Sequence, residues 1–156
     1  VSVERFDLTE VIRGVVQSAQ LLAGQKEAEL TFSQDAPIYV WGDEFKVEEV
    51  VTNYVSNALN HVDYERKIEV KAQKEGNVVR VSVFNTGDII PKEDLEKVWI
   101  KFYKVDKART REYGGSGIGL SIVKAIMDSM HKKCGVKNYE NGVEFWFELS
   151  CADAEE

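Results

Sequence analysis

Between residues 67 and 84 the chain alternates apolar and polar side chains twice over, as KIEVKAQ and then VVRVSVF, with Lys74-Glu75-Gly76-Asn77 between the two runs. Alternation at a period of two sends successive side chains to opposite faces of a strand, and a glycine-bearing turn between two such runs predicts a β-hairpin. An antiparallel sheet with one buried face follows, and the rest of the chain has to supply the layer that covers it. Residues 3 to 8 (VERFDL) read as a short strand, with Thr9 placed to cap a helix running to about residue 28. Val11, Ile12, Val15, Val16, Ala19, Leu22 and Ala23 give that helix one apolar face. ELTFS and IYVWG, on either side of Pro37, predict two short strands around a turn. Asp43 then caps a second helix over 44 to 62, whose arc of Val47, Val50, Val51, Tyr54, Val55, Ala58, Leu59 and Val62 is apolar for nearly its whole length.

Past Pro91 a short helix is expected in PKEDLEKVWIKF. Residues 104 to 117 then lose all periodicity, a length of loop that in a compact domain points to a lid or a binding loop. A third helix over 118 to 131 and a closing hairpin around Asn141-Gly142 complete the pattern. Hairpin connections in place of regular βαβ alternation predict an α+β fold. Its expected form is a two-layer α/β sandwich, with three main helices on one face of a mixed, mainly antiparallel sheet. The 156 residues, 44% apolar and 30% charged, suit one globular domain. A net charge of −7 argues against a nucleic-acid partner. No run of about 18 apolar residues occurs, so no membrane contact by this stretch is expected. Cys134 and Cys151 lack metal-ligand spacing and read as reduced, cytosolic thiols.

Four segments carry residue types that ask for a chemical reason. Asn53 and Asn57 lie one helical turn apart, with Asn60 and His61 a turn further on, and asparagine is a poor helix former. They read either as a solvated polar face or as neutral oxygen donors that complete the shell of a Mg²⁺ whose charge is matched by phosphates. Gly114-Gly115-Ser116-Gly117-Ile118-Gly119-Leu120 opens the third helix. It is either a flexible entry or a place where free N–H groups and bare backbone meet a polyphosphate. Its spacing is neither the dinucleotide fingerprint nor the P-loop. Ahead of it Lys101, Lys104, Lys107, Arg109 and Arg111 face only Asp106, a local excess of cations on an acidic domain, and Lys104 is the one singled out. Asn85-Thr86-Gly87 ends a strand, where Gly87 marks a turn or Asn85 offers a carbonyl oxygen to an exocyclic amine.

Taken in order, these segments resemble the N, G1, F and G2 boxes of the catalytic ATP-binding domain of sensor histidine kinases, in the GHKL superfamily. The match spans NYVSNALNH, FNTGDIIP, KFYKVD and GGSGIGL. The resemblance covers nearly the whole chain, from Phe6-Asp7-Leu8 to the closing hairpin, and is similar to the vancomycin-resistance and related Gram-positive sensors. It implies the Bergerat ATP-binding fold, with ATP and Mg²⁺ as cofactors and residues 104 to 117 as an ATP lid. Asn57 is then the metal ligand, and Asn53, Asn57 and Lys104 are the catalytic set. Asn53, Asn57, Asn60, His61, Asn85, Gly87, Ile90, Tyr103, Lys104, Gly115, Ser116, Gly117, Ile118, Gly119 and Leu120 line the nucleotide.

The family's reaction moves the γ-phosphoryl of ATP to a histidine on a separate dimerisation domain, and thence to a response regulator receiver domain. Neither His61 nor His131 stands in the sequence context of such a histidine. The chain is therefore expected to be a catalytic domain over 6 to 151, with 1 to 5 as linker and 152 to 156 as tail. It is expected to be monomeric alone and to form the cytoplasmic part of a membrane-anchored sensor. Two departures stand out: Asn85 where the family usually has Asp, and Ile89 where it often has a second glycine. A carboxylate only accepts hydrogen bonds, whereas an amide that turns over donates to a guanine oxygen, so Asn85 is expected to weaken base discrimination. The superfamily's ATP hydrolases carry Glu where Asn53 stands, and an amide does not act as a base near neutral pH, which favours kinase over hydrolase. The rival readings are a degenerate nucleotide-sensing or protein-interaction module and a serine kinase of the anti-sigma type.

Overall fold

The computed structural model describes residues 2 to 101, 103 and 119 to 153. In chain order they form β1 (Glu4–Asp7), α1 (Leu8–Gln25), β2 (Glu29–Phe32), β3 (Tyr39–Gly42), α2 (Glu44–His61), β4 (Lys67–Glu75) and β5 (Val78–Thr86). Two 3-10 turns follow at Lys92–Asp94 and Lys97–Trp99, then α3 (Gly119–Ser129), β6 (Cys134–Tyr139) and β7 (Gly142–Ser150). Five strands make one sheet in the order β2-β4-β5-β7-β6, and β1 pairs with β3 in a separate ribbon. Only the β2–β4 pair is parallel, so the sheet is mixed and mainly antiparallel, as the sequence predicts.

The alternation seen in the sequence becomes the buried face: Ile68 and Val70 of β4, Val79, Val81 and Val83 of β5, and Val143, Phe145, Phe147 and Leu149 of β7 are all at most 4% exposed. The three helices cover that face, with α2 packed between α1 and α3. Tyr54 on α2 is the largest fully buried side chain among the described residues, its ring 5.5 Å from that of Phe145 and 6.0 Å from that of Phe147. Its hydroxyl donates to the Trp146 carbonyl at 2.9 Å, and burial pushes its pKa well up, so the phenol keeps the proton it donates.

Several local expectations shift. The cap of α1 is Asp7, whose carboxylate accepts from Thr9 N–H at 3.0 Å, and not Thr9, which is buried in the first turn and donates its hydroxyl to the Ala36 carbonyl at 2.9 Å. The strands on either side of Pro37 enter different sheets and do not pair around a turn. The start of α1 captures the segment between them, through Leu8 N–H to Ile38 carbonyl at 2.8 Å and Thr9 to Ala36. The strand expected over residues 3 to 8 is present as β1, with Glu4 and Arg5 opposite Gly42 and Trp41. Helix α1 stops at Gln25 and not near 28, because Glu27 turns left-handed (φ 56°) and Ala28 N–H closes on the Ala23 carbonyl at 2.9 Å. His131 does the same past α3 (φ 57°), two residues beyond a helix expected to contain it. The helix expected after Pro91 is two separate 3-10 turns. Asp43 caps α2 as expected, accepting from Lys46 N–H at 3.3 Å, with Ser2 N–H on its other oxygen at 3.0 Å.

The closing hairpin turns one residue earlier than expected, at Glu140 and Asn141, and Gly142 begins β7. A β-carbon at Gly142 would stand 2.1 Å from the Asn85 carbonyl oxygen, so this glycine serves close backbone approach and not the turn.

Candidate functional site

Two contacts along α2 bring the sequence's separate segments together. At the middle of the helix, a β-carbon on Gly119 would meet Asn53 Oδ1 at 2.9 Å, so the first residue of α3 rests on the asparagine, and a side chain there would require Asn53 to shift. Asn53 is held in that pose because its amide nitrogen donates to the Glu49 carbonyl at 2.9 Å, which leaves its oxygen toward Gly119. At the end of the helix, a β-carbon on Gly87 would meet the His61 carbonyl oxygen at 2.7 Å and Asn85 Nδ2 at 3.3 Å. Gly87 also has φ 150°, a conformation that side-chain-bearing residues rarely adopt. It is therefore more than a turn marker, being where the end of β5 meets the end of α2.

Asn85 lies on the helix-facing side of β5 in register with Ile68 and Val143, and is 2% exposed. Its Nδ2 donates to the Thr86 carbonyl at 3.1 Å, which leaves its oxygen as the group to be met from the cleft. Thr86, also buried, accepts from Lys67 N–H at 3.0 Å and donates to the Asp63 carbonyl at 2.9 Å, fixing the α2–β4 connection against the end of β5. Two residues of that connection, Tyr64 and Arg66, have left-handed backbone (φ 60° and 57°). Such strain is tolerated where surrounding bonds over-determine the chain. Here Asp63 Oδ1 accepts Tyr64 N–H at 2.8 Å, and the Arg66 guanidinium donates to the Lys26 carbonyl at 3.0 Å.

Asn57 and Asn60 are half-buried on the same helix as Asn53, and His61 is exposed at its last position. Leu120 and Ile90 pack partly buried against the core. Tyr103 donates its hydroxyl to Asp94, and that bond raises the phenol's pKa, so Tyr103 ties its segment to the first 3-10 turn. Lys104, Gly115, Ser116, Gly117 and Ile118 lie outside the described residues, as do Lys107, Arg109 and Arg111. Among the described residues no group of three or more His, Cys, Asp or Glu side chains is placed to hold a metal. A cation here fits only as a hard ion on neutral amide oxygens, with the remaining donors brought by the ligand itself, which is the coordination habit of Mg²⁺ on a polyphosphate.

Three residues that hold this end of the site escaped the sequence reading. Asn138 and Asn141 of the β6–β7 hairpin bond the segment after β5, and Tyr64 bonds Asp88 from the other side. Asparagine is depleted in strands, so Asn138 inside β6 was the available signal.

Residues 42–153 match the family model described as the histidine kinase-, DNA gyrase B-, and HSP90-like ATPase, and the chain belongs to that family. It is similar to the sensor protein VanSB of Enterococcus faecalis, 28% identical over 94% of this chain and 33% of that protein. It is also similar to the sensor histidine kinase WalK of Bacillus subtilis, 40% identical over 67% of this chain and 18% of that protein. The chain thus spans a third or less of either relative. Among solved structures, the nucleotide-free catalytic domain of histidine kinase ThkA superposes with a TM-score of 0.85 at 29% identity, covering 97% of each chain. That agreement extends the expected α/β sandwich to the full layer and strand arrangement of the GHKL fold. No described helix is long and apolar enough to cross a membrane.

Proposed function

We propose that this chain is the Mg-ATP-binding catalytic domain of a two-component sensor histidine kinase, moving the γ-phosphoryl of ATP to a histidine on a separate dimerisation domain. The observation that carries this reading is the seat of Gly119, a glycine of the GGSGIGL segment, on Asn53 of α2. From Asn53 to His61 the helix advances about 12 Å. A nucleotide laid along it has its phosphates at Gly119 and its base beside Gly87.

Each residue then has a task. Asn57 is the metal ligand, with Asn53 beside it, and bound Mg²⁺ supplies neutralising charge to the triphosphate. Asn60 contacts phosphate and His61 lines the nucleotide. The backbone of Gly115, Ser116, Gly117, Ile118 and Gly119 meets phosphate oxygens, and Lys104 adds a cation over them. Leu120, Ile90 and Tyr103 border the cleft, and Gly87 lets the chain pass close to the base. Asn85 accepts from the adenine amine. Turning its amide to suit guanine costs the bond to Thr86, so base discrimination is weakened and not abolished. The domain's work is to bind and orient, since phosphoryl transfer asks little covalent chemistry of the protein. Its partners are the histidine-bearing domain of the same protein and a response regulator receiver domain, in a membrane-anchored sensor with this domain on the cytoplasmic side.

Titrating the chain with a nonhydrolysable ATP analogue, with and without Mg²⁺, tests the site, and Mg-dependent binding is expected. Supplying an upstream histidine hairpin in trans with ATP tests the reaction, and acid-labile phosphate on that hairpin is expected. A chain that binds no nucleotide, or one that transfers phosphate only to serine, rejects the reading.

A further inference from the structure

The segment from Gly87 to Pro91 leaves the end of β5 with no strand paired to it among the described residues, yet its main chain is tied at successive points. Gly87 N–H donates to the Asn141 carbonyl at 3.1 Å. Ile90 N–H donates to Asn138 Oδ1 at 3.0 Å, and Asn138 Nδ2 donates back to the Ile90 carbonyl at 2.7 Å. One side-chain amide thus satisfies both main-chain groups of one residue, as a neighbouring strand would. A primary amide offers donor and acceptor together at neutral pH, where a carboxylate only accepts. From the opposite side the Tyr64 hydroxyl donates to Asp88. Ile90 itself is partly buried on the core, so its polar groups lose bonds at a cost if the amide is removed.

We infer that Asn138 is a positioning residue for nucleotide binding. Through its two bonds to Ile90 it makes the β6–β7 hairpin set the placement of the cleft wall that runs from Asn85 to Ile90. This rests on the proposed nucleotide site and adds to it a residue from the edge strand of the sheet, remote in sequence from every motif segment. Asn138 touches no nucleotide. It fixes the backbone on which Gly87 and Ile90 stand, and it does so from β6, which among the described residues has β7 as its only strand neighbour.

The test compares wild type, Asn138→Ala and Asn138→Asp for affinity toward a nonhydrolysable ATP analogue with Mg²⁺, alongside thermal unfolding. Asn138→Ala is expected to weaken binding about tenfold, the scale of one or two neutral hydrogen bonds. Asn138→Asp at neutral pH is expected to be equally weak, since a carboxylate accepts from Ile90 N–H but opposes the Ile90 carbonyl. As pH falls to about 4 and roughly half of the carboxyl gains a proton, it can donate again. The Asp variant's affinity relative to wild type at the same pH should then recover, while that of the Ala variant stays flat. If both variants bind within twofold of wild type and only unfold earlier, the amide is structural and the inference is wrong. An Asp variant as weak as the Ala variant at every pH also rejects it. Failure of wild type to bind nucleotide removes the proposed site first and this inference with it, so the two failures are told apart by the wild-type titration.

Discussion

On α2, Val47, Val50, Val51, Tyr54, Val55, Ala58 and Leu59 are at most 3% exposed, while Asn53, Asn57 and Asn60 on the adjoining face are half-buried. The first set seals the sandwich against the sheet. The second costs helix stability, up to about 0.7 kcal/mol per asparagine relative to alanine, without adding to the apolar core. One helix therefore presents two faces: the apolar one is explained by folding alone, and the amide one has a task only under the proposed nucleotide site.

Tyr54→Ala attacks the apolar face and should have the largest effect. It is expected to cost about 3–5 kcal/mol through the lost ring contacts and the cavity left behind, read by denaturant or thermal unfolding. A loss below about 1 kcal/mol would mean that the buried face does not carry the fold. On the amide face, Asn57→Ala should leave unfolding nearly unchanged and reduce Mg-dependent nucleotide affinity by about 10- to 100-fold, the usual effect of disturbing a metal's ligand environment. Affinity retained would undo the metal assignment. At the mouth of the helix, Asp43→Ala should cost about 1 kcal/mol by removing the cap, without altering nucleotide affinity once the protein is folded.

Asp43 also gives a pH dependence with a defined sign. The Ser2 N–H is the main cause that lowers its pKa. Its contribution is therefore complete above the ordinary aspartate range and is lost as pH falls through the depressed value, so wild type and Asp43→Ala should converge in acid. The smallest effect belongs to the base end: Asn85→Asp should raise the ratio of ATP to GTP affinity by a few fold, measured by competition, and an unchanged ratio would show that the amide does not read the base.

Most of the sheet was legible because a pleated strand exposes its pattern at period two. The runs around Gly76 became β4 and β5, with Val70 opposite Val83 and Ala72 opposite Val81 in the buried ladder. Helix bodies were equally clear, but their ends were not. Glu27 and His131 take a left-handed conformation usually given to glycine, and nothing local announces it, since the penalty is carried by packing and by the bonds that close each helix end. Gly142 looked like a turn residue and is a contact residue, because the carbonyl that excludes a side chain comes from Asn85, far away in the chain. The candidate site showed the same division. Asn53, Asn57, Asn85 and Gly119 were visible as residue types out of place in their elements. Asn138 is likewise an unusual residue within a strand, but its task was not legible, because its partners at Ile90 are main-chain atoms that any sequence would supply.

The order of residues alone determined which side chains face inward on each strand and helix, since that follows from backbone periodicity and needs no knowledge of neighbours. Tertiary structure decided which residues meet: that Gly119 rests on Asn53, that Gly87 closes on His61, and that β6 holds the chain beyond β5. These are contacts between atoms distant along the chain, fixed by how layers pack, and local propensity carries no record of them.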